Sequence, residues 1–355
     1  MSIMLRPTVL PISSYRGSMR QCGRAYGEEH AEAIGAYFAA FMKLKPAHWR
    51  FVEQCSRVPW ARKKLIDEFT RGTAEGCGRP FQEIYQFLCM EETSRMRHCT
   101  ALGATGSATA NGRPIIGQNW DGVPAVYPWA SLMRLRSSAM PASFLYVSCP
   151  GCWASAGVNE QGLALVWTSA AHSVRHKHKW PKVGVPTFAL IAGVLACKNC
   201  DEAIALLKST PNAGGFIFFI ADKSGQVCVV EAVAHRVEVV ACADMIGRAN
   251  HLESPALVAL SQQRVPRPTP RGNNSGARGT RIARLLAQHN GRIDRKAVES
   301  MLRDEGSPCG LTICQSREAG NPWMTIDSIY CLPARREFWI ARGLQTRHEY
   351  ARHTV

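Results

Sequence analysis

The chain has 355 residues, 46% of them hydrophobic and 20% charged, with a formal net charge of +16, a composition that excludes a disordered or fibrous protein. That length suffices for one large core or two modest ones. No apolar run approaches the roughly 18 residues of a membrane span, and residues 1–15 lack the apolar stretch of a secretory leader, so the expectation is a cytoplasmic protein with no membrane contact.

Taken in order, the first quarter reads as helical, over 23–42, 59–69 and 80–92, the last two opening on proline. At Cys99 the texture turns to β. Two β-prone stretches joined through Asn111-Gly112 read as a hairpin, followed by strands over 131–136, 144–148 and 163–170. Helices are expected over 187–196 and 201–208, with Asp201 as N-cap of the second. A second hairpin spans 215–222 and 226–234, and 237–241 continues it. Residues 261–279, rich in Arg, Pro, Gly and Asn, read as a long exposed loop. Helices over 280–289 and 294–302 and strands over 325–331 and 337–341 close the chain. This order implies an α+β architecture of two stacked antiparallel sheets covered outside by helices.

Cys99 opens the first hairpin, and its partner strand carries Gly117-Gln118-Asn119-Trp120-Asp121. A reactive Cys at the head of an internal strand, with an Asp beside it, suits an enzyme that cuts its own backbone there. An ordinary thiol has a pKa of about 8.5, and a freed α-amine of about 7.7–8.0 can take its proton and return it to a leaving group. Cys99 would then be both nucleophile and base, and Asp121 would hold the amine. The plainer alternatives are a buried strand Cys and a turn-forming Asp before Gly122.

Several landmarks share an order along the chain: Gln21-Cys-Gly-Arg-Ala-Tyr-Gly27, Cys99-Thr100, the run ending at Asp121, Gly157-Val-Asn-Glu-Gln-Gly-Leu163, Asp201-Glu-Ala-Ile204, Ala221-Asp-Lys-Ser-Gly225 and Asn250-His251. In this the chain resembles the isopenicillin N acyltransferase group of N-terminal-nucleophile hydrolases, with the bile-salt hydrolases as more distant relatives. The resemblance implies a four-layer αββα sandwich and a self-cut between His98 and Cys99. Segments 1–98 and 99–355 would stay associated as a heterodimer of cleavage products. It implies Asn250 as an oxyanion donor, a second donor at Thr168 or Ser169, a supporting role for Asn119, and a functional Arg at Arg281 or Arg278. Two departures stand out: His98 occupies the position where penicillin-producing relatives have Gly, and Gln118 the position where bile-salt hydrolases carry Arg.

The resulting expectation is a self-processing amidohydrolase or acyltransferase for a small non-peptide amide, working through a Cys99 thioester without metal or organic cofactor. Acyl-coenzyme A is the donor if the protein is a true transferase, since a basic field suits an anionic substrate. The alternative is an uncleaved, non-catalytic homologue that binds an anionic partner. Neither zinc nor nucleic acid is expected. Cys149-Pro-Gly-Cys152 and Cys197-Lys-Asn-Cys200 lie too far apart for a ribbon-type site, and His172, His176 and His178 read as a solvated basic run. The Arg-rich stretch from 264 to 281 lacks interleaved aromatics. The fourteen cysteines read as reduced thiols, not as a disulfide framework.

Overall fold

The computed structural model describes residues 6–42, 46–93, 98–170, 181–241, 244–261, 274–306, 313–316 and 323–355. The stretch containing His172, His176 and His178 lies outside them. The chain opens with β1 (Ile12–Arg16) and the helices α1 (Met19–Phe41), α2 (Pro46–Ser56), α3 (Lys63–Cys77), α4 (Phe81–Leu88) and α5 (Met90–Thr93). Six strands follow: β2 (His98–Gly106), β3 (Gly112–Gly122), β4 (Ser131–Ser137), β5 (Met140–Val147), β6 (Ala156–Asn159) and β7 (Leu163–Ser169). After α6 (Thr187–Leu195) and α7 (Cys200–Ser209) come β8 (Phe216–Asp222), β9 (Val227–Val233), β10 (Arg236–Ala241) and β11 (Met245–Arg248). The last elements are α8 (Pro255–Ser261), α9 (Ser275–Gln288), α10 (Arg295–Leu302), β12 (Met324–Leu332), β13 (Glu337–Arg342) and β14 (Ala351–Thr354).

The strands form an eight-stranded sheet, ordered β1-β4-β5-β6-β7-β8-β9-β10, and a six-stranded sheet, ordered β11-β2-β3-β12-β13-β14. Three apolar layers separate and cover them. Tyr26, Phe69, Phe87, Phe188 and Phe218 lie under the helices that cover the larger sheet. Phe144, Val166, Phe219, Ile329 and Phe338 fill the space between the sheets, and Leu102, Ile115, Ile282, Leu286 and Val298 lie under α9 and α10. The fold is a four-layer αββα sandwich. Strand β8 shows the rule at work: Phe216, Phe218 and Ile220 face the helices, Ile217, Phe219 and Ala221 face the other sheet, and the sequence therefore reads as one unbroken apolar run.

Several expectations need correcting. Helix α1 starts at Met19, earlier than expected, because Ser18 and Gln21 form a capping box. Asn199, not Asp201, caps α7, its side chain accepting from the Glu202 N–H. Most of the exposed loop expected over 261–279 lies outside the described residues, but Ser261 closes α8 and α9 begins at Ser275, so Arg278 belongs to a helix and is fully buried. Strands β1, β6, β11 and β14 were not expected; three of them have only four residues, and pairing rather than local pattern holds them. Through β1, which runs parallel to β4, the segment before Cys99 contributes a strand to the larger sheet.

The glycines of the landmark near Gln21 have a packing reason. Helices α1 and α3 touch backbone to backbone. A Cβ on Gly23 would come 2.1 Å from the Phe69 carbonyl oxygen, and one on Gly72 would come 2.1 Å from the Arg20 carbonyl oxygen. Gly35, farther along α1, has its nearest neighbour at 3.8 Å. Gly72→Ala should therefore destabilise by about 1–3 kcal/mol or more, whereas Gly35→Ala should stabilise by roughly 0.5–1 kcal/mol through helix propensity. Urea unfolding of the two variants checks this, and equal midpoints would contradict the close approach.

Candidate active site

The site is built on the β2/β3 hairpin. Antiparallel pairing sets His98 opposite Asp121, Cys99 opposite Trp120, Thr100 opposite Asn119 and Ala101 opposite Gln118. Directly opposed residues share a face. Cys99, Trp120 and Gln118 thus face the other sheet, while Thr100, Asn119 and Asp121 face the α9 and α10 layer. Cys99 is 2% exposed.

In the continuous chain the Cys99 backbone N–H donates to Asn250 Oδ1 at 2.9 Å and not to Asp121. Asn250 follows β11, the edge strand beside β2, whose Arg248 pairs with Ala101. Its side chain is held on both sides: Oδ1 also accepts from Arg278 Nη2 at 2.7 Å, and Nδ2 donates to the Ser169 carbonyl at 2.9 Å. Its backbone N–H donates to Ser275 Oγ at 2.7 Å.

Arg278 is the centre of this arrangement, on the first turn of α9 and with no exposed surface. Nη1 donates to the Cys99 carbonyl and to Thr100 Oγ1, and Nε donates to Asn274 Oδ1 at 2.6 Å. Asn274 occupies the N-cap position of α9 yet makes no side-chain cap, since its oxygen serves Arg278. Burial lowers the Arg278 pKa, and the neighbouring Asp121 and Cys99 raise it. Arg281, one turn on, instead pairs with Asp304 at 2.5 Å and keeps a quarter of its side chain exposed.

Asp121 is fully buried. Its Oδ1 accepts from Thr325 Oγ1 at 2.8 Å, while Oδ2 is buried with no hydrogen-bond partner. Burial pushes this carboxyl up to about 7, and Arg278 and Thr325 oppose the shift. Asn119 turns away from Cys99: its Nδ2 donates to the Leu302 and Ile313 carbonyls at 2.8 and 3.0 Å, and Ser328 Oγ donates to its Oδ1. Thr168 Oγ1 donates to the Ala249 carbonyl at 2.6 Å, which steadies the turn before Asn250. Ser169 Oγ donates to Glu91 on α5. Gln118 Oε1 accepts the Trp167 N–H at 2.5 Å, bracing the two sheets against each other. The His98 ring packs on Trp323 with centroids 4.3 Å apart.

Around the sulfur the described residues leave a cavity of about 10 Å³, room for one water, lined by Gln118, Trp120, Tyr146, Ser148 and Ser155. A larger cleft, about 490 Å³, lies at the far end of the hairpin beside Arg113, Arg295 and Trp339, away from these groups. Among the described residues no three His, Cys, Asp or Glu side chains gather as a metal site. The buried Glu91 and Ser275 were missed in the sequence. The only signal for Glu91 is the acidic pair Glu91-Glu92 closing an apolar helical run.

The sequence profile of the acyl-coenzyme A:6-aminopenicillanic acid acyl-transferase family matches residues 107–343. No curated protein matches the chain. Among solved structures, a mutant of the conjugated bile acid hydrolase from Clostridium perfringens is similar at 14% identity, covering 72% of this chain and 97% of that one, with a TM-score of 0.44. The penicillin V acylase from Agrobacterium tumefaciens is similar at 16% identity, over 69% and 83%, with a TM-score of 0.44. An N-acylethanolamine-hydrolyzing acid amidase orthologue from Caenorhabditis elegans is similar at 12% identity, over 66% and 93%, with a TM-score of 0.45. With 237 of its 355 residues matched by the profile, the chain belongs to the acyl-coenzyme A:6-aminopenicillanic acid acyl-transferase family.

Proposed function

We propose that this protein is a self-processing cysteine amidase or acyltransferase acting on a small non-peptide amide, with Cys99 as its nucleophile. The observation that carries the reading is the set of contacts at Cys99. Its N–H lies on Asn250, its carbonyl on the buried Arg278, and its side chain in the layer between the sheets.

Processing begins when Cys99 Sγ attacks the His98 carbonyl carbon. The His98–Cys99 amide is exchanged for a thioester, and water hydrolyses it to leave segment 1–98 with a carboxylate and Cys99 with a free α-amine. That amine then takes the thiol proton, and the thiolate adds to the substrate carbonyl. Asn250, fixed by Arg278 and Ser169, donates to the oxyanion. Collapse breaks the amide, the α-ammonium returns its proton to the leaving amine, and a Cys99 thioester remains. Water resolves it in hydrolysis and a second amine in transfer. Arg278 orients Cys99 and Asn250 together and sets its positive charge beside them. Asp121, opposite the cut and with one oxygen unpartnered, supplies the negative charge that steadies the ammonium. Gln118 lines the acyl side of the cavity, where an Arg would present a charge.

Acyl-coenzyme A or another anionic acyl donor suits the basic chain, and the family takes its name from such a donor. Hydrolysis needs only water, and we favour a simple amide as the substrate. The protein should work in the cytoplasm with its two segments associated, since β1 is built into the sheet beside β4.

Incubation of the purified protein with a panel of N-acyl chromogenic amides, quenched in acid and followed by mass spectrometry, should show acylation on the peptide that begins at Cys99. No acylated species with any amide that is turned over would overturn the thioester. The two arginine candidates separate cleanly. Arg281→Ala should leave kcat/KM within about twofold, because only its part-buried ion pair with Asp304 is lost and that pair does not bear on Cys99 or Asn250. Arg278→Lys should lower kcat by about 10²–10³-fold, the scale of a lost oxyanion-site contact, since one ammonium cannot span Asn274, Thr100 and Asn250. Equal effects would contradict the assignment.

A further inference from the structure

Asn250 is gripped at its backbone as well as at its side chain. Its N–H donates to Ser275 Oγ at 2.7 Å, and the same oxygen lies 2.8 Å from His251 Nδ1. The other ring nitrogen, Nε2, faces Glu253 Oε1 at 3.6 Å. A carboxylate can only accept, so Nε2 carries the hydrogen of the neutral ring and Nδ1 accepts from the Ser275 hydroxyl. Donation by Ser275 polarises its oxygen and strengthens the bond that oxygen receives from Asn250. The ring is wedged in place: a Cβ on Gly279 of α9 would come within 3.0 Å of His251 Cε1. A groove of about 590 Å³, lined by Arg248, His251, Glu253, Gly276 and Gly279, leaves the ring open to solvent protons.

We infer that His251 is a positioning residue which, through Ser275, holds the Asn250 backbone in its working place only while the imidazole is neutral. This rests on the reading of Asn250 as the oxyanion donor. A protonated ring donates from both nitrogens. Ser275 Oγ must then accept from His251 as well as from Asn250, its own proton turns away, and the grip on Asn250 loosens. Four charged groups bear on the ring: Glu253 after β11, Arg248 on β11, Arg278 on α9 and Glu231 on β9. Burial, then Arg278 and Arg248, lowers the imidazole pKa below its ordinary 6.5, against an opposing pull from Glu231. The neutral, gripping form therefore prevails at neutral pH and is lost as pH falls through that lowered pKa.

The test is the pH profile of kcat and KM for processed wild type, His251→Phe, His251→Gln and Ser275→Ala on one amide that the wild type turns over. His251→Phe and Ser275→Ala should lower kcat about tenfold with KM within twofold. His251→Gln, which restores an acceptor that does not titrate, should recover most of kcat and show an acid limb less steep than the wild type's below about pH 6.5, the part set by the Cys99 amine and Asp121 remaining. A wild-type kcat in His251→Phe and Ser275→Ala, or an unchanged acid limb in His251→Gln, overturns the inference. If His251→Phe does not fold, Ser275→Ala and His251→Gln still decide it. Asn250→Ala, run alongside, keeps the two readings apart: full turnover there would remove the oxyanion role itself, whatever the His251 variants do.

Discussion

The structure depends on one buried cation. A guanidinium removed from water would cost several kcal/mol if nothing met its donors. Arg278 is stable inside because it gives hydrogen bonds to Asn274, Thr100, the Cys99 carbonyl and Asn250, with the Asp121 carboxylate close by. Those partners come from three separate stretches of chain: the hairpin, the turn after β11 and the first turn of α9. Satisfying one side chain thus brings them to one point. The same contacts fix the rotamers that the proposed chemistry needs, so folding energy and site geometry share a cause.

Strand parity decides how the site divides its labour. Cys99 and Asp121 lie on paired strands, but side chains alternate, and the register puts the sulfur in the inter-sheet layer and the carboxylate in the α9 layer. Backbone groups of a strand lie between its two faces, so the nitrogen of Cys99 is the part of that residue that can answer to both. In the proposed mechanism that nitrogen becomes the base. A nucleophile facing the acyl cavity and a charge pair facing the helices can then act on one residue without colliding.

The hairpin, the order of layers and the position of Cys99 were readable from the sequence because each rests on a local signal: the Asn111-Gly112 turn, alternating or continuous apolar strands, and a strand opening on Cys. The burial of Arg278 was not. Its surroundings are rich in Arg, Pro, Gly and Asn, which read as solvated, and nothing local distinguishes it from Arg281; only the start of α9 at Ser275 turns one inward and the other toward Asp304. The partners of Asn119 were hidden for a related reason. It sits two residues before Asp121 on the same face, yet the chain around Leu302 and Ile313 takes its amide. The short strands β6, β11 and β14 have too few residues to show a period and exist because a neighbour offers its edge.

The account stands on a free amine at Cys99, and the intact mass of the purified protein under denaturing conditions reads this most directly. Two masses that sum to the chain plus one water, divided before Cys99, are predicted for the wild type, with a single full-length mass for Cys99→Ala. A single full-length mass for the wild type, in a preparation that turns over an amide, would contradict the account.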